Sequence, residues 1–292
     1  AGFAERGIST FLGIPYAAPP VGKLRFQPPV DAAPWAPTLL DATNHKPDCM
    51  QSRIANEWMG EESEDCLYLN VWTPNVKGKA AIMIFIPGGA WQIGGASRVE
   101  YDGHMLAKQG VVVINFNYRL GAFGFLVSVQ DGLYGNYGLM DQRMLLEWVQ
   151  RNARAFGGDP DRVTLMGESA GAKSVGLHLT MDGAGRLFHR AIMQSNPYSY
   201  MYRTVEVANF LGEALRTALD CDSLSCLQEE DPGEVIEAMD SLHGFPRSVG
   251  DFFTWSPVRT KNSEKLSFKS TFKLAWGTDP KASNITSAAG AA

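Results

Sequence analysis

The chain has 292 residues, of which 45% are hydrophobic and 20% charged, a composition typical of a globular protein with a substantial core. An α/β fold of this length often forms one domain. The formal net charge of −5 is too small to indicate a nucleic-acid or membrane-surface partner, and no apolar run is long enough to span a bilayer.

The amino-terminal part of the chain is dense in proline over residues 14–29 and is predicted to be loop. A strand is predicted at residues 66–72, which are rich in β-forming side chains. Two continuous apolar runs, at residues 80–86 and 111–116, predict strands buried on both faces of a parallel sheet. A short helical segment at residues 105–109 precedes the second run.

Helices alternate with strands in the middle of the chain. Residues 138–154 carry apolar side chains at helical spacing and predict a helix that ends at two glycines. A short apolar strand at residues 162–166 runs into the sequence Gly-Glu-Ser-Ala-Gly, after which a helix is predicted to about residue 179. The remaining predicted elements are a strand at 190–194 and helices at 205–219 and 233–242. This alternation predicts an α/β fold, a mostly parallel sheet with helices on both faces.

The end of the chain differs in composition from the rest. Residues 259–292 hold six Lys or Arg and two Asp or Glu, and they finish in a low-complexity stretch of Ser, Ala and Gly. Lysines recur every four residues there, which indicates a solvated helix face or a flexible tail rather than a basic binding site. We therefore expect a folded domain over residues 1–258 and a divergent, disordered tail over residues 259–292.

Four cysteines form two close pairs in the sequence, Cys49 with Cys66 and Cys221 with Cys226. Neither pair has the spacing of a zinc site, and no nearby histidine completes one. Two local disulfides are the favoured interpretation, and reduced core cysteines are the alternative. Disulfides predict an oxidising compartment, hence a secreted protein, and a glycosylation sequon at residues 284–286 is consistent with that location. We expect no signal peptide within these residues, because no charged segment followed by an apolar run opens the sequence.

The sequence between the strand and the helix at residues 167–171 has the pattern Gly-x-Ser-x-Gly. A sharp strand-to-helix turn forces its serine into strained backbone angles, and only small neighbours such as Gly167 and Gly171 avoid clashes there. The turn raises the Ser169 hydroxyl above the sheet, and the helix amino end directs N–H groups at the reacting centre. The pattern predicts that Ser169 is a nucleophile; a serine helix cap flanked by glycines is the alternative.

A second motif, Pro-Gly-Gly-Ala-Trp at residues 87–91, follows the apolar run at 80–86. Acyl transfer places negative charge on the former carbonyl oxygen, and one pre-aimed N–H donor stabilises that charge by roughly 3–4 kcal/mol. Small residues let the backbone approach the oxygen. Gly89, Ala90 and Ala170 are therefore the predicted oxyanion-hole residues, and a plain glycine turn after a strand is the alternative for the motif.

Four longer stretches carry further patterns: FLGIPYAAPPVGKLRF at 11–26, SEDCLYLNVW at 63–72, GNYGLMDQ at 135–142, and GGDP through GESAGA at 157–172. With the serine motif, they resemble the type-B carboxylesterase/lipase family, the cholinesterase-like α/β-hydrolases, over about residues 6–258. The resemblance implies an α/β-hydrolase fold and hydrolysis of an uncharged or apolar small-molecule carboxylic ester through an acyl-serine intermediate. It implies no metal and no organic cofactor.

The resemblance also implies roles for individual residues. Ser169 matches the acyl-forming nucleophile and Gly89, Ala90 and Ala170 match the oxyanion hole, although many members carry glycine where Ala90 stands. The implied disulfides are Cys49–Cys66 and Cys221–Cys226, and the implied structural ion pairs are Arg25–Glu64 and Arg119–Asp141. Glu168, beside the nucleophile, matches a residue with an electrostatic or structural role.

The sequence does not identify the acid and the histidine that would complete a catalytic triad. In this fold they follow the serine in the order Asp or Glu, then His. His178 lies roughly 13 Å further along the predicted helix, and His189 is expected at the opposite edge of the sheet. Only His243 could reach Ser169 in principle, with an acid from residues 170–242, and a plain loop histidine is the favoured interpretation. The family's acid and histidine lie farther downstream, and the resemblance stops after residue 258, so we expect a chain truncated relative to the family.

The sequence as a whole predicts a secreted carboxylic-ester hydrolase that is impaired if its acid and histidine are missing. Two alternatives stay open. One is a hydrolase-fold protein that binds partners without catalysis, and the other is an inactive remnant. The sequence indicates no nucleic-acid partner and does not indicate an oligomeric state.

Overall fold

A seven-stranded sheet forms the centre of the computed structural model, which describes residues 1–53, 60–243 and 254–259. In chain order its strands are β1 (Phe3–Glu5), β2 (Ile8–Pro15), β3 (Tyr68–Thr73), β4 (Ala80–Ile86), β5 (Val112–Phe116), β6 (Gly158–Glu168) and β7 (Arg190–Gln194). Across the sheet they lie in the order β1-β2-β3-β5-β4-β6-β7. The pairs from β1 to β5 are antiparallel, and those from β5 to β7 are parallel.

Helices cover both faces of this sheet. In the described part of the chain they are α1 (His104–Ala107), α2 (Gly121–Phe125), α3 (Tyr137–Asn152), α4 (Ala170–Thr180), α5 (Val205–Ala218), α6 (Leu224–Glu229) and α7 (Pro232–Ser241). Side chains alternate between the faces of a strand, so Trp72 and Val113 point away from their neighbours Val71 and Ile114. Trp72 and Val113 pack with Ala107 of α1, whereas Val71 and Ile114 belong to the main core.

The parallel strands are apolar because their side chains meet helices. Every residue of β5 is buried. Along β4, Ile82, Ile84 and Ile86 are fully buried, whereas Met83 and Phe85 are only partly covered. The expectation that residues 80–86 are buried on both faces is therefore correct for one face and only partly correct for the other.

Strand β2 covers residues 8–15, so the predicted loop over residues 14–29 is wrong at Ile14 and Pro15, and the rest of this strand was not predicted. Its residues alternate between buried and partly exposed positions from Ile8 to Phe11, as a half-buried strand requires. The alternation breaks at Gly13, whose φ of +71° accompanies a shift of the pairing register between Phe11 and Ile14. This irregularity, followed directly by prolines, obscures the strand in the sequence.

The carboxyl ends of three parallel strands meet at one edge of the sheet. Gly167, near the end of β6, lies in register with Ile86 at the end of β4. Glu168 is likewise paired with Gln194, the last residue of β7. The segments that follow these three strands therefore emerge side by side, and two of them carry the predicted nucleophile and the predicted oxyanion motif.

The carboxyl-terminal residues of the described part contact the body of the fold. Arg203–Thr204 and Val258–Arg259 form a short parallel ladder. The rest of the predicted tail and the sequon at 284–286 lie outside the described residues, so the predicted domain boundary stays a prediction. None of the helices in the described part combines the length and apolar character that a bilayer crossing requires.

Two disulfides are formed. Cys49 is bonded to Cys66 with their Cα atoms 5.0 Å apart, and Cys221 is bonded to Cys226 with theirs 5.5 Å apart. These bridges leave none of the four cysteines free. The first bridge joins residues 17 apart in sequence and the second joins residues 5 apart, so both close local loops.

Mass spectrometry of the unreduced protein is expected to recover the two linked peptide pairs. Replacing Cys49 and Cys66 together by serine should lower the free energy of unfolding by about 3 kcal/mol, because the bridge restricts the unfolded chain. The same change at Cys221 and Cys226 should cost about 2 kcal/mol, since that loop is shorter. Urea denaturation measures both effects, and four free thiols in native material would contradict the secreted location.

Candidate active site

Ser169 stands at the junction of β6 and α4 in a strained backbone conformation. Its φ of 52° and ψ of −118° lie outside the regions that non-glycine residues commonly adopt. Two neighbours have no room for a side chain. A Cβ on Gly167 would lie 2.4 Å from the carbonyl carbon of Gly171, and one on Gly171 would lie 2.1 Å from the Ile86 oxygen. The chain therefore folds as the predicted strand–turn–helix, with the serine at its apex.

The segment of residues 87–96, here named the oxyanion loop, packs directly against this serine. A Cβ on Gly88 would lie 3.3 Å from the Ser169 Cβ and 2.6 Å from a Glu168 carboxylate oxygen. The next three residues, Gly89, Ala90 and Trp91, all have positive φ angles of 108°, 56° and 60°. Only glycine adopts such angles freely, so Ala90 and Trp91 store backbone strain beside the nucleophile.

Three backbone N–H groups in the two segments that meet at Ser169 make no hydrogen bond within the described residues, those of Gly89, Ala90 and Ala170. Ala90 and Ala170 are buried. Buried N–H groups without a partner are rare in folded proteins. Ala170 is the first residue of α4, whose dipole adds positive potential at its amino end. The arrangement suits an anionic oxygen placed beside the serine.

Glu168 contacts the oxyanion loop from the last position of β6. Burial raises the pKa of its carboxyl group. Burial is also the main cause of the raised pKa of Tyr101, to which the Glu168 charge adds. The carboxylate lies against Gly88 and leaves no space for a side chain there. This position is consistent with the electrostatic or structural role that the resemblance implies.

Two of the three histidines that follow Ser169 in sequence are held elsewhere. His178 is buried in α4 with Nε2 2.9 Å from the Gln142 side-chain oxygen, and burial lowers its pKa to about 3. His189 precedes β7, at the end of the sheet away from the nucleophile. Its Nδ1 accepts a hydrogen bond from the Val163 N–H at 3.3 Å. Both positions agree with the expectations from the sequence.

His243 lies just beyond α7. Its Nδ1 is buried without a hydrogen-bond partner among the described residues, and residues 244–253, which follow it, lie outside them. The Ser169 hydroxyl likewise makes no hydrogen bond in the described part of the chain. The structure therefore packs Gly88, the neighbour of the predicted oxyanion-hole residue Gly89, against Ser169. Within the described residues it gives the Ser169 hydroxyl no histidine partner.

A sequence profile described as the carboxylesterase family matches residues 2–273. The chain belongs to the carboxylesterase family. It is 41% identical over 280 residues to acetylcholinesterase of Bungarus fasciatus, a match that covers 86% of the chain and 46% of that protein. It is 43% identical over 251 residues to fumonisin B1 esterase of Sphingopyxis macrogoltabida, covering 81% of the chain and 45% of that protein.

The fold comparison agrees with the sequence comparison. A solved PNB esterase structure superposes with a TM-score of 0.81 at 38% identity, covering 89% of this chain and 55% of that one. The predicted family and the predicted α/β-hydrolase fold are therefore confirmed. The chain spans about half the length of the curated relatives it matches.

The two predicted ion pairs of this carboxylesterase-family chain are both formed, Arg119–Asp141 fully buried and Arg25–Glu64 partly buried. The Arg119 guanidinium donates to both Asp141 oxygens, at 2.8 and 2.7 Å, and these side chains are 3% and 0% exposed. The Arg25 guanidinium donates to both Glu64 oxygens, at 2.7 and 2.6 Å. It also reaches the Leu227 carbonyl at 2.9 Å, so it ties the amino-terminal segment to α6.

Several contacts around the site carry no signal in local sequence patterns. The Gln51 side-chain amide pairs with Gly94, accepting from its N–H at 2.8 Å and donating to its carbonyl at 3.3 Å. The Ser52 N–H donates to the Gln92 carbonyl at 2.9 Å. These bonds fix the carboxyl-terminal half of the oxyanion loop to the segment that follows the first disulfide.

Lys173, in the first turn of α4, makes another contact that carries no signal in local sequence patterns. It is buried, its ammonium group donates to the Tyr200 carbonyl, and it lies 4.4 Å from the centre of the Tyr202 ring. Burial lowers the pKa of Lys173 to about 8. A lysine in the otherwise small and apolar start of a helix is the only trace of this contact in the sequence. Its effect is to attach residues 195–202, after β7, to the helix of the nucleophile.

Proposed function

We propose that this chain is a serine carboxylic-ester hydrolase in which Ser169 forms an acyl intermediate. The observation that carries the proposal is the strained turn at Ser169, with Gly88 of the oxyanion loop packed against it. Family membership supports it, as do the names of the matched acetylcholinesterase, fumonisin B1 esterase and PNB esterase, all of which are esterases. The proposed substrate is a small, uncharged or apolar carboxylic ester.

The proposed reaction begins with attack of the Ser169 oxygen on the ester carbonyl carbon. The carbonyl electron pair moves to oxygen, and the N–H groups of Gly89, Ala90 and Ala170 stabilise the resulting negative charge. Collapse of this intermediate expels the alcohol and leaves an acyl-serine, which water then hydrolyses. A base must accept the serine proton, and the described residues place none within hydrogen-bond distance of it. The reaction as proposed uses no metal and no organic cofactor.

A fluorophosphonate probe tests the nucleophile directly. We expect concentrated imidazole, acting as an external base, to promote labelling of Ser169, since the probe needs an ionised or general-base-assisted serine. Labelling should disappear in Ser169→Ala and persist in Ser199→Ala, which alters an exposed serine. Labelling of another serine in a folded sample, with Ser169 unmodified, would exclude the assignment.

A second candidate function is binding of a partner without catalysis. The observation in its favour is that the Ser169 hydroxyl has no hydrogen-bonded base among the described residues. The same experiment separates the two. A folded chain that stays unlabelled at Ser169 in concentrated imidazole supports the binding function, whereas imidazole-dependent labelling supports the hydrolase.

The location and the domain boundary are also proposals. Two disulfides support secretion, because they persist in oxidising compartments. We propose that residues 1–258 form the hydrolase unit and that residues 259–292 form a tail, although the family match extends to residue 273. Limited proteolysis is expected to cut first after residue 259. Protection of the whole chain would place the boundary elsewhere.

A further inference from the structure

The proposed oxyanion hole combines donors from two separate segments. Gly89 and Ala90 belong to the oxyanion loop, whereas Ala170 begins α4. Three donors stabilise one oxygen only if the loop and the helix keep a fixed separation. The loop is strained at Ala90 and Trp91, and strained backbone persists only where surrounding contacts hold it. The contact that holds it against α4 therefore bears on the chemistry.

That contact is a buried hydrogen bond. The indole Nε1–H of Trp91 donates to the Ser174 hydroxyl oxygen at 2.9 Å, and neither side chain is accessible to solvent. Trp91 directly follows Ala90 in the loop. Ser174 lies four residues after Ala170, one turn further along the same face of α4. The bond therefore links the two segments beside their donor groups.

The acceptor is itself fixed by a short polar chain in the core. The Gln142 amide nitrogen of α3 approaches the Ser174 hydroxyl at 3.4 Å, and the Gln142 oxygen lies 2.9 Å from His178 Nε2. An amide oxygen only accepts, so His178 Nε2 must carry the hydrogen. All of these side chains are buried. His178 thus ends a chain of hydrogen bonds that orients Ser174.

We propose that Ser174 is a positioning residue for the oxyanion hole. It holds Trp91, and through Trp91 the strained backbone of Ala90, at the separation from Ala170 that the tetrahedral intermediate needs. Gln142 and His178 fix the direction of the Ser174 hydroxyl. This inference rests on the proposed function, because it assigns a task within the same site.

The test removes the bond from each side. Trp91→Phe keeps an aromatic ring and loses the indole donor, and Ser174→Ala loses the acceptor. Thr73→Val is the matched control, because Thr73 is a buried residue of β3 whose hydroxyl donates to the Phe156 carbonyl at 2.7 Å, away from the site. The rate of Ser169 phosphonylation by the fluorophosphonate probe is measured in concentrated imidazole, and stability is measured in urea.

In each single variant, Ser169 is expected to be phosphonylated about tenfold more slowly, because a shift of the donor groups by well under 1 Å is enough to slow the reaction by that factor. The double variant should be no slower than either single, because one shared interaction is lost. Ser174→Thr, which keeps the hydroxyl, should retain most of the rate, and Thr73→Val should lose stability without losing rate. The proposal would be overturned if Trp91→Phe and Ser174→Ala kept the parent rate of phosphonylation and lost only stability, as Thr73→Val is expected to do.

A second measurement separates this inference from the proposed function. Amide hydrogen exchange of Gln92 and Ile93, whose N–H groups donate to the Gly89 carbonyl at 2.9 and 3.0 Å, should accelerate in Ser174→Ala and stay at the parent rate in Thr73→Val. If the parent chain is not labelled at Ser169 at all, the hydrolase proposal fails, and accelerated exchange still supports the positioning contact. Unchanged exchange at Gln92 and Ile93 overturns the positioning role whatever the labelling result.

Discussion

This chain alone is expected to hydrolyse a short activated ester slowly, and concentrated imidazole is expected to raise the rate at least tenfold. The strained turn places Ser169 at the proposed oxyanion hole, but the described residues place no histidine against the Ser169 hydroxyl. A site without a complete triad keeps a residual rate about 10³–10⁴-fold above that of water. General-base catalysis contributes about 10²–10⁴-fold, of which a diffusing imidazole restores a part.

The measurement compares the parent chain with Ser169→Ala in buffers with and without imidazole. Free imidazole also hydrolyses activated esters, so this protein-free background is subtracted from both samples. The imidazole-dependent rate that remains in the parent should vanish in the variant. Fast turnover by the parent without imidazole, abolished in Ser169→Ala, would show that the chain supplies its own base. His243, whose Nδ1 is buried without a partner among the described residues, would then be the first residue to replace.

Asp141→Ala is expected to lower the free energy of unfolding by about 3–5 kcal/mol. The substitution leaves the Arg119 guanidinium buried without its carboxylate, and a buried charge without a partner is far costlier than the pair itself. Arg119 also donates its backbone N–H to Asp141 at 3.1 Å and an Nη1 hydrogen to the Gln27 carbonyl at 2.7 Å. The variant therefore disturbs three segments of the chain at once.

The matched control is an ion pair of the same types on the surface. Arg151 and Asp31 approach to 3.0 Å, with side chains 52% and 72% exposed. Solvent screens such a pair, so Asp31→Ala should cost about 0–1 kcal/mol. Urea denaturation of both variants gives the comparison. Equal losses in the two variants would show that burial of the Arg119–Asp141 pair has no energetic consequence.

The parts of the fold that follow from local patterns are the parts that the sequence predicts well. Helix α3 was expected at residues 138–154 and spans Tyr137–Asn152, because its apolar residues repeat at helical spacing and Gly157, with a φ of 71°, ends the turn after it. The serine turn was predicted for the same reason, since its glycines and its position between strand and helix are local features.

The order of the strands is not a local feature. Strand β5 lies between β3 and β4, although it follows both in sequence, and no pattern within these segments determines that arrangement. Contacts between residues far apart in the sequence likewise leave no local sequence pattern that would predict them. Trp91 and Ser174 are 83 residues apart, and Gln51 and Gly94 are 43 apart. From its local sequence, each of these residues would be predicted to be an ordinary core or loop residue. A third ion pair, Arg216–Asp131 at 2.6 Å, was missed for this reason.

The meeting of strand ends at one edge of the sheet has an evolutionary consequence. The proposed reacting groups follow β4 and β6, whereas residues 195–202 emerge beside them from β7 and carry the exposed Tyr198 and Met201. Surface residues on such a segment tolerate substitution at little cost in stability. Selection for new substrates can therefore act on this segment while the strained turn and its supports stay constant. A library randomised at exposed positions of residues 195–202 should thus change ester preference more often than it unfolds the chain.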